Sequence, residues 1–187
     1  MIYSDEDKLD QAGERVDPFF KPDWSPDYFL SSMYTTHLGI YRTKLARIIG
    51  GFRKDFDGSQ DYDFVLRFAE KTKNIQHIPQ ILYHWRKTPH STALSYSTKH
   101  YARNSTQKAL LDTIKRRALD ASLEDGLQPD LFRIKYKIKN NPLVSIIIPT
   151  KDKKEYLERC INSIITKSTY RNFEIIVVDN GSDERKT

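Results

Sequence analysis

Apolar and polar positions alternate with three different textures along the chain. From residue 1 to about 97, short apolar bursts are broken by Pro, Gly and Asp, the pattern of short elements joined by loops. Ser25 before Pro26 reads as a helix cap followed by a first helical position that tolerates a missing N–H. Residues 37–41 predict a short strand, and residues 43–49 a helix stopped by Gly50-Gly51. Gly58-Ser59 opens a stronger helix over residues 60–71, with Asp61, Val65 and Phe68 spaced to share one face. Residues 75–78 and 81–85 read as two short strands split by Pro79, which cannot donate to a ladder.

Further on, residues 98–119 predict a polar helix with a thin stripe of Ala102, Leu110, Ile114 and Ala118, broken by Gly126 and Pro129. Phe132, Ile134, Tyr136 and Ile138 then alternate with Arg133, Lys135, Lys137 and Lys139, a two-faced strand whose basic side meets solvent. Asn140-Asn141-Pro142 is a turn or linker. Residues 144–148 form a continuous β-branched run, as in a strand buried on both faces of a parallel sheet. An amphipathic helix over 155–165 and a second such strand over 173–178 complete a βαβ unit, closed by Asp179-Asn180-Gly181-Ser182.

Composition narrows the classes. At 187 residues, 38% hydrophobic and 12% aromatic, the chain can build a packed core, and its charges are mixed rather than blocked, which argues against disorder. A net charge of +6 suits an anionic partner: a nucleotide, a nucleic acid or an acidic membrane surface. The lone Cys160 excludes an internal disulfide and a Cys-rich zinc site, and fits a reducing cytosol. No apolar run approaches the ~20 residues that span a bilayer, and the first residues lack the basic and apolar regions of a signal peptide. A cytoplasmic location is expected, with peripheral contact at the inner face of the membrane compatible with the basic charge.

Candidate chemistry sits in a few clusters. Asp5 and Asp7, one residue apart at the end of an apolar-to-polar transition, are either hard oxygen ligands for Mg²⁺ or Mn²⁺ or an acidic surface turn. Asp61 and Asp63 fall in the first turn of the helix opened by Ser59; a carboxylate there either caps the helix or takes a proton from a hydroxyl. His84, between Tyr83 and Trp85, is a metal ligand or a packed structural histidine, and Arg86 beside it a phosphate partner. Trp24 either stacks on a sugar ring or plugs the loop that carries it.

Together these motifs resemble the family 2 glycosyltransferases, in particular the bacterial surface-polysaccharide and O-antigen enzymes with tandem catalytic domains. The resemblance rests on Tyr-Ser-Asp-Glu-Asp-Lys at 3–8, Phe-Lys-Pro-Asp-Trp-Ser-Pro-Asp at 20–27 and Gly-Gly-Phe-Arg at 50–53. Asp-Gly-Ser-Gln-Asp-Tyr-Asp at 57–63 and His-Ile-Pro-Gln-Ile-Leu-Tyr-His-Trp-Arg at 77–86 follow in order. Residues 143–183 resemble the first βαβ of another such domain. The implied fold is α/β and GT-A-like, in incomplete form: residues 1–97 as the acceptor and catalytic half of one domain, 98–142 as a helical and strand linker, and 143–187 as the nucleotide-binding start of a second.

The resemblance implies an inverting transfer from a nucleoside-diphosphate sugar to a glycan or lipid-linked glycan, with no nucleic-acid partner. Asp5 and Asp7 would match nucleotide-sugar and metal positions, His84 a further ligand of Mn²⁺ or Mg²⁺, and Asp61 the general base. Gln60 stands where the family's usual Glu precedes that base. Thr150, Asp152 and Asp179 would match contacts to base and ribose. Since neither copy is whole, the chain alone is expected to be inactive, with its remnants pairing partly with one another. Two other classes compete: a non-catalytic basic binding or scaffold module, and a metal-dependent phosphohydrolase, which the lack of further His/Asp clusters disfavours.

Overall fold

A computed structural model describes residues 1–88, 100–128 and 131–183. The chain divides into two compact units, Met1–Lys137 and Ile138–Thr187.

The first unit is organised on strand β1 (Ile2–Leu9). Strand β4 (Gln76–Arg86) pairs with it in parallel along its whole length. This leaves the other edge to two short antiparallel partners, β3 (Gly39–Ile40) at its start and β2 (Arg15–Phe19) at its end. The two strands expected around Pro79 are one. Ser4 pairs with Ile78 and Asp5 with Ile81, so Pro79 and Gln80 leave the ladder as a bulge, which removes the need for a donor at Pro79.

Helices cover this sheet. α1 (Pro26–Phe29) starts on Ser25 and Pro26 as expected, and α2 (Thr43–Ile48) ends at Gly50 and Gly51, both at positive φ where other residues are strained. α3 (Gln60–Ala69) follows a 3₁₀ turn at Lys54–Phe56 and is buried from Tyr62 to Phe68. Its Val65, Leu66 and Phe68 join Tyr3, Phe29, Tyr34 and Phe56 in one aromatic-rich core, with Phe29 and Tyr62 edge to face at 5.1 Å.

Residues 98–142, expected as a linker, mostly belong to this unit. α4 (His100–Arg116) contributes Ala109 and Leu110 to the core, with Thr113 buried beside them, whereas Ala118 of the expected stripe is exposed. The expected helix start at residue 98 and the break at Pro129 lie outside the described residues. Strand β5 (Ala121–Asp125) pairs antiparallel with β6 (Phe132–Tyr136), and Phe132 is buried in the same core while Arg133 and Lys135 face out.

In the second unit, β7 (Val144–Thr150) and β8 (Phe173–Asp179) are parallel and joined through α5 (Lys154–Lys167), the expected βαβ. They form a two-stranded sheet of their own. The expected burial on both faces is not present: Ile147 is 64% exposed and α5 has no buried residue, because two strands and one helix offer little cover.

Candidate active site

Strand β1 turns its acidic run into a set of buried, partnered groups. Asp5 and Asp7, two apart, are both buried. Asp5 Oδ1 accepts hydrogen bonds from the Lys21 backbone N–H at 2.9 Å and from His77 Nε2 at 2.8 Å. The His77 ring lies flat on Tyr3 with centroids 4.9 Å apart, and its Nδ1 is 3.2 Å from Asp23 Oδ1. Asp7 is held by other partners. Its Oδ1 is hydrogen-bonded to His84 Nδ1, and its Oδ2 accepts from Arg15 Nε at 2.6 Å. Burial alone would raise the Asp7 carboxyl, but the His84 and Arg15 donors outweigh it and hold it below the usual range.

Glu6, between them, is an anchor for the backbone. Its Oε2 accepts from Thr36 Oγ1 at 2.8 Å and the His37 N–H at 2.9 Å, and lies 3.3 Å from Lys21 Nζ. Burial works against its charge, yet His37, Lys21 and Thr36 keep it ionised below its ordinary value. Lys21 Nζ also donates to Thr35 O at 2.9 Å, and burial lowers this ammonium despite Glu6. The loop from Lys21 to His37 is thereby fastened to β1 beside Asp5 and Asp7.

The sequence-predicted residues are thus brought together in part. Asp7 and His84 are in direct contact; Asp5 is engaged by His77 instead. Asp61 is exposed on the first turn of α3, where its Oδ1 accepts from the Tyr62 N–H at 2.8 Å. Asp63, two residues on, is wholly buried and ion-paired to Arg53 (Nε 3.0 Å) and Arg67 (Nε 2.9 Å). In the second unit, Asp152 and Asp179 meet through Ser182 at the ends of β7 and β8, and Thr150 bonds to Asp152. The Asp152 N–H donates to Ser182 Oγ at 2.7 Å, and Ser182 Oγ is hydrogen-bonded to Asp179 Oδ1. Thr150 Oγ1 donates to Asp152 O at 3.1 Å. Such strand ends are where open parallel sheets bind ligands.

His77, Lys21, Arg15 and Ser182 carry site geometry that the sequence reading did not assign. A carboxylate suits Mn²⁺ or Mg²⁺, whereas an imidazole suits softer ions, and here Asp7 and His84 are hydrogen-bonded to each other. Among the described residues, no group of three such side chains is clustered for a metal.

Residues 145–187 match the family model for glycosyl transferase family 2. That stretch is similar in sequence to family 2 glycosyltransferases. Over its full length it is 42% identical to the uncharacterized protein y4gI of Sinorhizobium fredii, of which it spans 21%. It is 36% identical to the O-antigen biosynthesis protein RfbC of Myxococcus xanthus, of which it spans 15%. A stretch covering 22% of the chain is 44% identical to glycosyltransferase GlyA of Streptococcus pneumoniae, over 6% of that protein. The chain therefore spans about a fifth or less of the length of these curated relatives. No helix among the described residues is long and apolar enough to cross a membrane.

Proposed function

We propose that the chain is part of an inverting, GT-A-like glycosyltransferase that moves a sugar from a nucleoside diphosphate to a glycan or lipid-linked glycan during surface-polysaccharide synthesis. The observation that carries this reading is the contact of Asp7 with His84 at paired positions of two parallel strands. It sits within a chain that is similar over its full length to an O-antigen biosynthesis protein. The reaction is assigned to the cytoplasmic side, at or near the inner face of the membrane. Residues 1–97 are read as the acceptor side of one domain and 143–187 as the nucleotide side of a second, so the chain by itself is inactive in this reading.

Asp7 and His84 would hold Mn²⁺ or Mg²⁺, which when bound offsets negative charge on the departing diphosphate. Asp5, fixed by His77 and the Lys21 N–H, serves the donor's ribose side and the same cation. Asp61 takes the proton of the acceptor hydroxyl as its oxygen attacks the anomeric carbon and the nucleoside diphosphate leaves. Its exposure suits that role, because the acceptor must reach it from solvent. Thr150, Asp152 and Asp179 hold base and ribose in the second domain.

Transfer assays with the full-length protein and a panel of nucleoside-diphosphate sugars test this. Asp61→Asn should lower kcat by ~10²-fold or more with donor affinity little changed. An unchanged kcat, or equal losses in both, would make Asp61 structural and remove the base from the scheme.

A further inference from the structure

A groove in the first unit shares no lining residue with the acid–histidine pairs. It encloses about 430 Å³ between Trp24, Pro26 of α1, Glu70 and Lys71 at the end of α3, and Arg116 and Arg117 at the end of α4. That is within the ~300–1,000 Å³ typical of small-ligand sites. The indole is fixed in place, with its ring 4.9 Å from Phe29 and 6.2 Å from Tyr34, while the residue is only half-buried. Glu70 takes Arg116 Nε at 3.0 Å and Nη2 at 2.9 Å, and Arg117 Nε at 3.3 Å. One carboxylate thus orients two guanidinium forks without cancelling them. Lys71, exposed, has no partner among the described residues, so three cations stand against one acid beside a rigid aromatic.

We propose that this groove binds an anionic sugar residue of a glycan, the pyranose on Trp24 and its carboxylate or phosphate on Arg116, Arg117 and Lys71. The axial C–H bonds of a pyranose carry partial positive charge and are attracted to the negative face of an indole. Planar guanidinium groups match a carboxylate or phosphate in a two-pronged way that an ammonium cannot. The loop that carries Trp24 also carries Lys21 to Glu6 and Asp23 to His77, so a glycan in the groove is held by the same segment that is fastened beside Asp5. This binding does not depend on the transfer reaction or on a metal.

Isothermal titration of the chain with a trigalacturonate, maltotriose, inorganic phosphate and a short single-stranded oligonucleotide tests it. The acidic trisaccharide should bind on the order of tenfold or more tightly than maltotriose or phosphate. Trp24→Ala and Lys71→Glu should each weaken it by about tenfold, Trp24→Phe by less, and Asp7→Ala not at all. Lys71 is exposed, so its variant keeps the test valid if Trp24→Ala fails to fold. Equal affinity for maltotriose would show that charge plays no part, and equal affinity for phosphate that the sugar ring plays none. Tighter binding of the oligonucleotide, no binding of the acidic trisaccharide, or insensitivity to Lys71→Glu would each overturn the proposal.

Discussion

Asp61 and Asp63 share the first turn of α3, but only Asp63 is enclosed, with Arg53 and Arg67 on its two oxygens. Arg67 in turn donates to the carbonyls of Ile49 and Gly51 at 2.6 Å each, so this ion pair ties α3 to the end of α2. Asp63→Asn leaves the buried Arg67 without its counter-charge, while Arg53 keeps Asp112 at 2.9 Å, and should cost about 3–5 kcal/mol in chemical denaturation. Asp61→Asn should cost less than about 1 kcal/mol, the loss of one favourable charge at a helix start. The Asp63 carboxyl is pulled below its ordinary value: burial opposes its charge, but hydrogen bonds from Arg53 and Arg67 prevail. Its stabilisation is therefore complete above the unfolded aspartate value of about 3.9 and is lost as pH falls through the lower folded value. Denaturation between pH 2 and 7 should show a loss of stability below about pH 4 that is much reduced in Asp63→Asn. A variant with an unchanged acid limb would remove Asp63 from that account. The depth of either acid was not legible in sequence: spacing puts both in one turn, and only tertiary packing separates a buried ion pair from an exposed carboxylate.

The elements were legible wherever local chemistry is strong. Pro26 starts α1, the paired glycines end α2, and the β-branched runs at 144–148 and 173–178 form parallel strands. What escaped was set by distant contacts. The Pro79–Gln80 bulge and a second shift that skips Leu82 let Tyr3 face His77 and Asp7 face His84 on one strand, so the register that brings both histidines to β1 cannot be counted from sequence. Strand β5, Ala-Ser-Leu-Glu-Asp, has no β-branched residue and forms through its pairing with β6. The same hairpin and α4 turn an expected linker into part of the first unit. Phe132→Ala and Leu110→Ala should each destabilise that unit by about 2–5 kcal/mol, read as a shift in denaturation midpoint. Losses below about 0.5 kcal/mol would restore the linker reading.

At the scale of the whole molecule, burial is uneven. The buried core is drawn from the first unit, from Met1 to Phe132, whereas none of the described residues of the second unit belongs to it. Amide exchange should accordingly be slowest in β1, α3 and α4, and faster in β7, α5 and β8, since local opening tracks how much apolar contact must be broken. Equal protection across both units would contradict that distribution. Fold class and the order of motifs were readable from residues, but whether acids and histidines meet depended on this first unit's packing. The central claim rests there, on Asp7 and His84 as a cation-holding pair in a sugar-transfer site. It is tested most directly by electron paramagnetic resonance of Mn²⁺ titrated into the full-length protein with a nucleoside diphosphate. The account predicts bound Mn²⁺ that is lost in Asp7→Ala and in His84→Ala and kept in Asp61→Asn; the same bound fraction in all four proteins would contradict it.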